Sequence, residues 1–282
     1  MCTNLFSEIQ AFQLESSAVK KLAPFALYDL FRLSAFGNRK TEIKTYLDQN
    51  FLAFLFPEVD YFNYVYFFSN WASEKTLIDI LKNYQNYGRS TVKFIIPKNL
   101  DPKIPVTFLS ENPPKTISCL QNTEPEIPEN PVDFELKPVI SSEELADYTR
   151  LYLQCFESKK TNYKEVAANF YLLLNASETD LFFIYYKNKR VGFCSSFYTP
   201  QYCLLSACGI SAENRYLGFQ KQAIYERLRI ASFKGFTNFK VWTYKDSISY
   251  SNLLKTGFKT EYEHHEYLSR PLEDLTKSTH FL

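Results

Sequence analysis

The sequence has no excess of charge of either sign. Lys and Arg number 32 and Asp and Glu 31, leaving a net charge of +1. A nucleic-acid-binding chain normally carries a clear basic surplus, so that class loses its first support, although a local basic patch stays open. The start, Met1 to Glu8, lacks the basic segment and long apolar run of a secretion signal. A long hydrophobic run is missing too. The longest uncharged stretch, Val191 to Ala212, contains Pro200, Gln201 and several serines, and reads as two buried strands joined by a turn rather than a membrane span. The six cysteines (Cys2, Cys119, Cys155, Cys194, Cys203, Cys208) show no CxxC spacing. They are expected to be reduced, mostly buried thiols of a cytoplasmic protein. The only histidines are His264, His265 and His280, without cysteines at ligand spacing, so no metal is expected. Glycine is scarce, at seven, which makes the place of each one informative.

What is present is a globular balance: 45% hydrophobic and 22% charged residues, with 26 Phe and 21 Tyr. That much apolar surface excludes disorder for most of the chain. Nine of the 13 prolines fall between Pro97 and Pro138. The stretch Asn122 to Pro131 has the composition of a linker and divides the chain into 1–130 and 131–282.

In the first part, Tyr61 to Phe68 is rich in strand formers. Ser73 is placed to cap a helix carrying Leu77, Ile78, Leu81 and Tyr84 on one face and ending near Gly88. Thr91 to Ile96 is the next strand, giving a βαβ unit without a glycine-rich phosphate turn. The second part reads as strand Phe134–Ile140, a helix opened by Ser141, a helix Tyr163–Leu174, and strands Leu181–Tyr186, Arg190–Phe197 and Tyr202–Ile210. A helix Gln220–Lys234 with Gly235 at its end follows, then strand Phe239–Tyr244. A short helix capped by Ser247 and ending at Gly257 leads to strand Phe258–Tyr267. The order β-α-α-β-β-β-α-β-α-β is α+β with a central mixed sheet.

One segment carries a chemical pattern: Cys208, Gly209, Ile210, then Ser211 to Asn214, then Arg215, Tyr216, Leu217, Gly218, Phe219 and Gln220. It lies between a buried strand and an amphipathic helix. Such a turn aims backbone N–H groups outward at the positive end of a helix, which suits a pyrophosphate. Gly218 allows close approach of the backbone, and Arg215 offers a charged contact. Arg-x-x-Gly alone is equally at home in an ordinary strand-to-helix turn.

The element order and this turn resemble the GNAT superfamily of N-acetyltransferases. Its signature is [Arg/Gln]-x-x-Gly-x-[Gly/Ala] after the fourth strand. Arg215 and Gly218 match, and Gln220 takes the final small-residue position. A second signature, a helix ending in Gly-Phe, is matched by Gly257-Phe258 after Asn252. The resemblance covers about 134–270. It implies a GNAT fold, acetyl-CoA as co-substrate and acyl transfer to an amine. It also implies a fourth strand splayed from the fifth, with an edge near Ala207 to Ile210 for pantetheine and a backbone N–H near Gly209 or Ile210 for the oxyanion. The family's frequent tyrosine acid falls here on Leu253, so Tyr250, one turn earlier, is the candidate acid, and Glu213 is the carboxylate nearest the turn. Of His264 and His265, adjacent on a strand, at most one can face a cleft. The total length implies a tandem member with a degenerate N-terminal copy. Size and layout also resemble a group of bacterial effector acetyltransferases, which implies a host protein as acceptor. The rivals are a non-catalytic acyl-CoA-binding or partner-binding module, favoured by Leu253 and Gln220, and an acetyltransferase for small amines.

Overall fold

The computed structural model describes residues 44–47, 50–55, 63–67, 74–86, 91–100, 104, 108–129, 131–156 and 163–271, with positions 26, 28, 29, 31, 32 and 273 besides. The expected features at Tyr61, Phe62, Phe68, Ser73, Gly88, Cys2 and His280 lie outside the described residues. The chain divides into two compact units, Met1–Ile117 with Tyr262–Leu282, and Ser118–Glu261. The division falls inside a strand, β5 (Lys115–Asn122). Ile127 packs on a core cluster and the Pro128 carbonyl accepts from Arg229.

Unit 1 holds β1 (Lys44–Leu47), β2 (Phe51–Leu55), β3 (Tyr64–Phe67), helix α1 (Glu74–Asn86) and β4 (Lys93–Pro97). It also holds most of β11 (Lys259–Leu268), from Tyr262 on. The order is β1-β2-β3-β4-β11. β3 and β4 run parallel, joined through α1, as the βαβ reading expects, and the other pairs are antiparallel. On α1, Leu77, Ile80, Leu81 and Tyr84 recur at helical spacing and are buried against Phe51, Val65 and Phe94. The strands β1, β2 and β5 were not legible in the sequence.

Unit 2 is a mixed, mostly antiparallel sheet in the order β5-β10-β9-β8-β7-β6. Its other strands are β6 (Phe134–Pro138), β7 (Thr179–Tyr186), β8 (Lys189–Tyr198), β9 (Cys203–Ile210) and β10 (Phe239–Tyr244). Lys187 and Asn188, both at positive φ, make the turn from β7 to β8. Helix α2 (Ser142–Cys155) is capped by the Ser141 hydroxyl, which accepts from the Glu144 N–H. With α3 (Tyr163–Leu174) it lies on the face where Tyr148 meets Phe170, Phe183 and Phe193 edge-on. Helices α4 (Phe219–Phe233) and α5 (Ile248–Leu254) cover the other face. There Ile224, Leu228 and Leu253 close a core with Leu205, Phe239 and Phe258.

Candidate functional site

The site grows from a fault in the unit 2 sheet. Between β8 and β9, Cys194 faces Cys208 and Ser196 faces Leu205. One residue of β8, Ser195, therefore stands opposite two of β9, Ser206 and Ala207. This is a β-bulge on β9, and a bulge bends and twists the strand that carries it. The consequence appears on the other edge. β9 and β10 are paired only at Cys203–Phe239 and Leu204–Lys240. From Leu205 onward β9 leaves β10, and both strands lose burial along their free halves.

The ladder fixes which groups face that gap. The Ser211 N–H donates to the Val191 carbonyl at 3.0 Å. Alternation along an antiparallel pair then turns the N–H of Gly209 toward β8, and those of Cys208 and Ile210 toward the gap. Gly209 is needed for another reason: a Cβ there would lie 2.4 Å from the Phe193 ring and 2.8 Å from the Cys155 Cβ.

Past β9 the chain makes a short 3₁₀ turn at Ala212–Asn214 and then enters α4. Tyr216 and Gly218 both adopt positive φ, 67° and 83°, and a Cβ on Gly218 would meet nothing within 4 Å. Gly218 is the N-cap, with no side-chain cap and no acidic residue in the first helical turn. The first N–H groups of a 15-residue helix thus have no side-chain cap at Gly218. Tyr216 and Leu217 are exposed, whereas Phe219 is buried against Phe134 and Tyr186 and anchors the helix start.

Three expected residues take different places. Arg215 donates to the Ile210 carbonyl at 3.4 Å and to the Cys155 carbonyl at 3.1 Å, bracing the strand end against α2. Gln220 turns away from the turn toward α5. Its Oε1 accepts from Asn252 at 2.7 Å and its Nε2 donates to Ser249 at 3.3 Å. Tyr250 pairs its hydroxyl with Thr260 at 3.2 Å. Thr260 is on β11. Leu253 points into the core. Cys208, Gly209, Ile210 and Gly218 line the stretch from the free end of β9 to the start of α4, Arg215 braces that stretch from within, and the Tyr250 hydroxyl meets Thr260.

Glu213 is at the rim, fully exposed. Its own backbone N–H and the Ser211 hydroxyl hold its carboxyl below the usual carboxylate range, so it is a poor base at neutral pH. Burial pushes the Cys208 thiol up, only partly offset by the Arg227 guanidinium, and Cys155 is pushed up to about 11 by burial. Neither behaves as a nucleophile. The bulge and the Arg227 contact beneath it were missed in sequence. A bulge leaves no compositional mark when, as at Ser206-Ala207, it uses ordinary residues.

No family model matches the sequence, and no curated protein matches it. Solved structures do. A functionally unknown conserved protein from Staphylococcus epidermidis superposes with a TM-score of 0.62 at 15% identity, covering 84% of this chain and 97% of that one. A GCN5-related N-acetyltransferase from Kribbella flavida gives 0.56 at 11%, covering 85% and 95%. A tandem GNAT protein from the clavulanic acid biosynthesis pathway gives 0.51 at 12%, covering 79% and 78%. The chain has the α+β fold of the GNAT N-acetyltransferases, and a tandem protein is among the structures it matches.

Proposed function

We propose that unit 2 is an acetyl-CoA-dependent N-acetyltransferase and that unit 1 is a degenerate copy of the fold. The opened β9–β10 pair carries this reading. It offers an unpaired strand edge to pantetheine, leads directly to the uncapped N-terminus of α4 for the pyrophosphate, and lies in a GNAT fold. In unit 1 the corresponding parallel pair, β3–β4, stays joined at three successive positions, and the sequence between β3 and α1 contains no glycine.

In the reaction, the neutral amine attacks the thioester carbonyl carbon and forms the C–N bond. The carbonyl oxygen takes up negative charge, within reach of the Ile210 or Cys208 N–H groups. The C–S bond then breaks, its electron pair leaves with the CoA sulfur, and the amine proton passes to solvent or a base. The acceptor is an amine on a small molecule or on a protein, a host protein if the chain is an effector.

Leu253 at the position of the family's tyrosine acid favours a second reading, an acyl-CoA-binding module without turnover. Calorimetric titration of CoA and acetyl-CoA, with thiol release followed over a panel of peptide and small amines, separates them. Binding with amine-dependent release supports the enzyme, binding without release supports the module, and no binding removes both.

A further inference from the structure

Arg227 lies in the middle of α4 and is 3% exposed. Its Nε donates to the Ala223 carbonyl at 3.2 Å, and its NH1 to the Ser195 carbonyl at 3.1 Å. Among the described residues no carboxylate pairs with it. A buried cation without a counter-charge is costly, because desolvation is not repaid by Coulomb attraction. Its position is specific. Ser195 is the single residue opposite the bulge, and its hydroxyl sits 2.7 Å from that of Ser206. Arg227 therefore holds its charge against the bulge, at the β8 carbonyl that faces the bulged stretch of β9.

We propose that Arg227 supplies the electrostatic stabilisation of the departing CoA thiolate, in place of a proton-donating side chain on α5. The proposal rests on the acetyl-CoA reading of unit 2. When the C–S bond breaks, sulfur carries the negative charge, in a gap bordered by low-dielectric core. A fixed cation behind the strand lowers the energy of that charge without moving and without giving up a proton. Its field already reaches this strand: it opposes the burial-driven rise of the Cys208 thiol, and it acts likewise on Cys194 and Cys203. Arg227 does not touch the sulfur, so it is a positioning charge rather than a catalytic residue.

The alternative is that Arg227 only satisfies the Ser195 carbonyl freed by the bulge. Titrating the thiol of enzyme-bound CoA by its ultraviolet absorbance, in wild type, Arg227→Met and Arg227→Lys, distinguishes the two. The expected result is a bound-thiol pKa about one unit higher in Arg227→Met than in wild type, and close to wild type in Arg227→Lys. CoA affinity at a pH where the thiol is protonated should be unchanged, and thermal stability of the Met variant unchanged or raised. Equal bound-thiol pKa values in wild type and the Met variant, with CoA still bound, would overturn the proposal and leave the acetyltransferase reading standing. A Met variant that loses stability with no change in thiol pKa would assign the purely structural role. Failure of wild type to bind CoA would remove both readings together.

Discussion

At the scale of single residues, Gly218 is the point on which cofactor binding turns. Its φ of +83° is a left-handed conformation that costs any L side chain about 1 kcal/mol, yet a Cβ would meet nothing within 4 Å. Conformation and space can therefore be tested separately. Gly218→Ala should lose modest stability and keep CoA affinity within a few fold. Gly218→Glu bears the same backbone cost and adds a carboxylate at the helix N-terminus, so it should abolish binding. Calorimetry on both variants decides; equal affinity for the two would remove the pyrophosphate site. Tyr250 presents the opposite case. Its hydroxyl is engaged by Thr260, so Tyr250→Phe should keep turnover within about twofold of wild type, the range expected when no transition-state contact is lost. A drop of tenfold or more in kcat at unchanged CoA affinity would restore its role as the acid.

At the scale of elements, most of unit 2 was legible because local patterns agree with the fold. Helix Tyr163–Leu174 and strand Phe239–Tyr244 have the expected bounds, and Ser247 caps α5 by accepting from the Tyr250 N–H. The missed strands are short or unusual in context. β1 has four residues, and β5 is embedded among prolines and buried along most of its length, so it shows no alternation. The direction of a side chain on a helix was equally beyond reach: Gln220 stands in the small-residue position, but it lies on the flank of α4 that meets α5 and not under the phosphate turn. There it ties together the helices that follow the two diverging strands. Gln220→Ala removes both hydrogen bonds, to Asn252 and Ser249, and should lower the unfolding midpoint by an amount matching about 1–2 kcal/mol. Because the gap is then held less firmly, the loss should appear in KM for acetyl-CoA by several fold, with kcat nearly unchanged. An unaltered KM would make the clasp a packing feature only.

At the scale of the whole molecule, unit 1 carries two buried titratable groups whose pH effects oppose each other. Asp29 is raised to about 6, chiefly by burial, against the lowering effects of Arg32 and the Tyr66 hydroxyl that donates to it at 2.7 Å. Between the unfolded value of 3.8 and about 6, the folded chain keeps a proton that the unfolded chain has released. Stability from Asp29 is therefore full at low pH and lost as the pH rises to about 6. His264 is buried and lowered to about 4, chiefly by desolvation and then by His265. Between 6.5 and about 4 the unfolded chain binds a proton that the folded chain refuses, so this contribution is full above 6.5 and lost as the pH falls. Each amounts to about 3 kcal/mol by linkage, with opposite slopes over the same window. The wild-type unfolding free energy should thus be nearly flat between about pH 4 and 6 as far as these two groups decide it. Asn in place of Asp29 keeps an acceptor for Tyr66 and removes the carboxylate. Asp29→Asn should be more stable than wild type at pH 7, and should lose about 3 kcal/mol between pH 6.5 and 4, when the uncompensated His264 slope is exposed. Urea unfolding of the full chain across that range measures it directly. A flat profile for Asp29→Asn would show that His264 is protonated in the folded state, and that its burial on β11 does not hold it neutral.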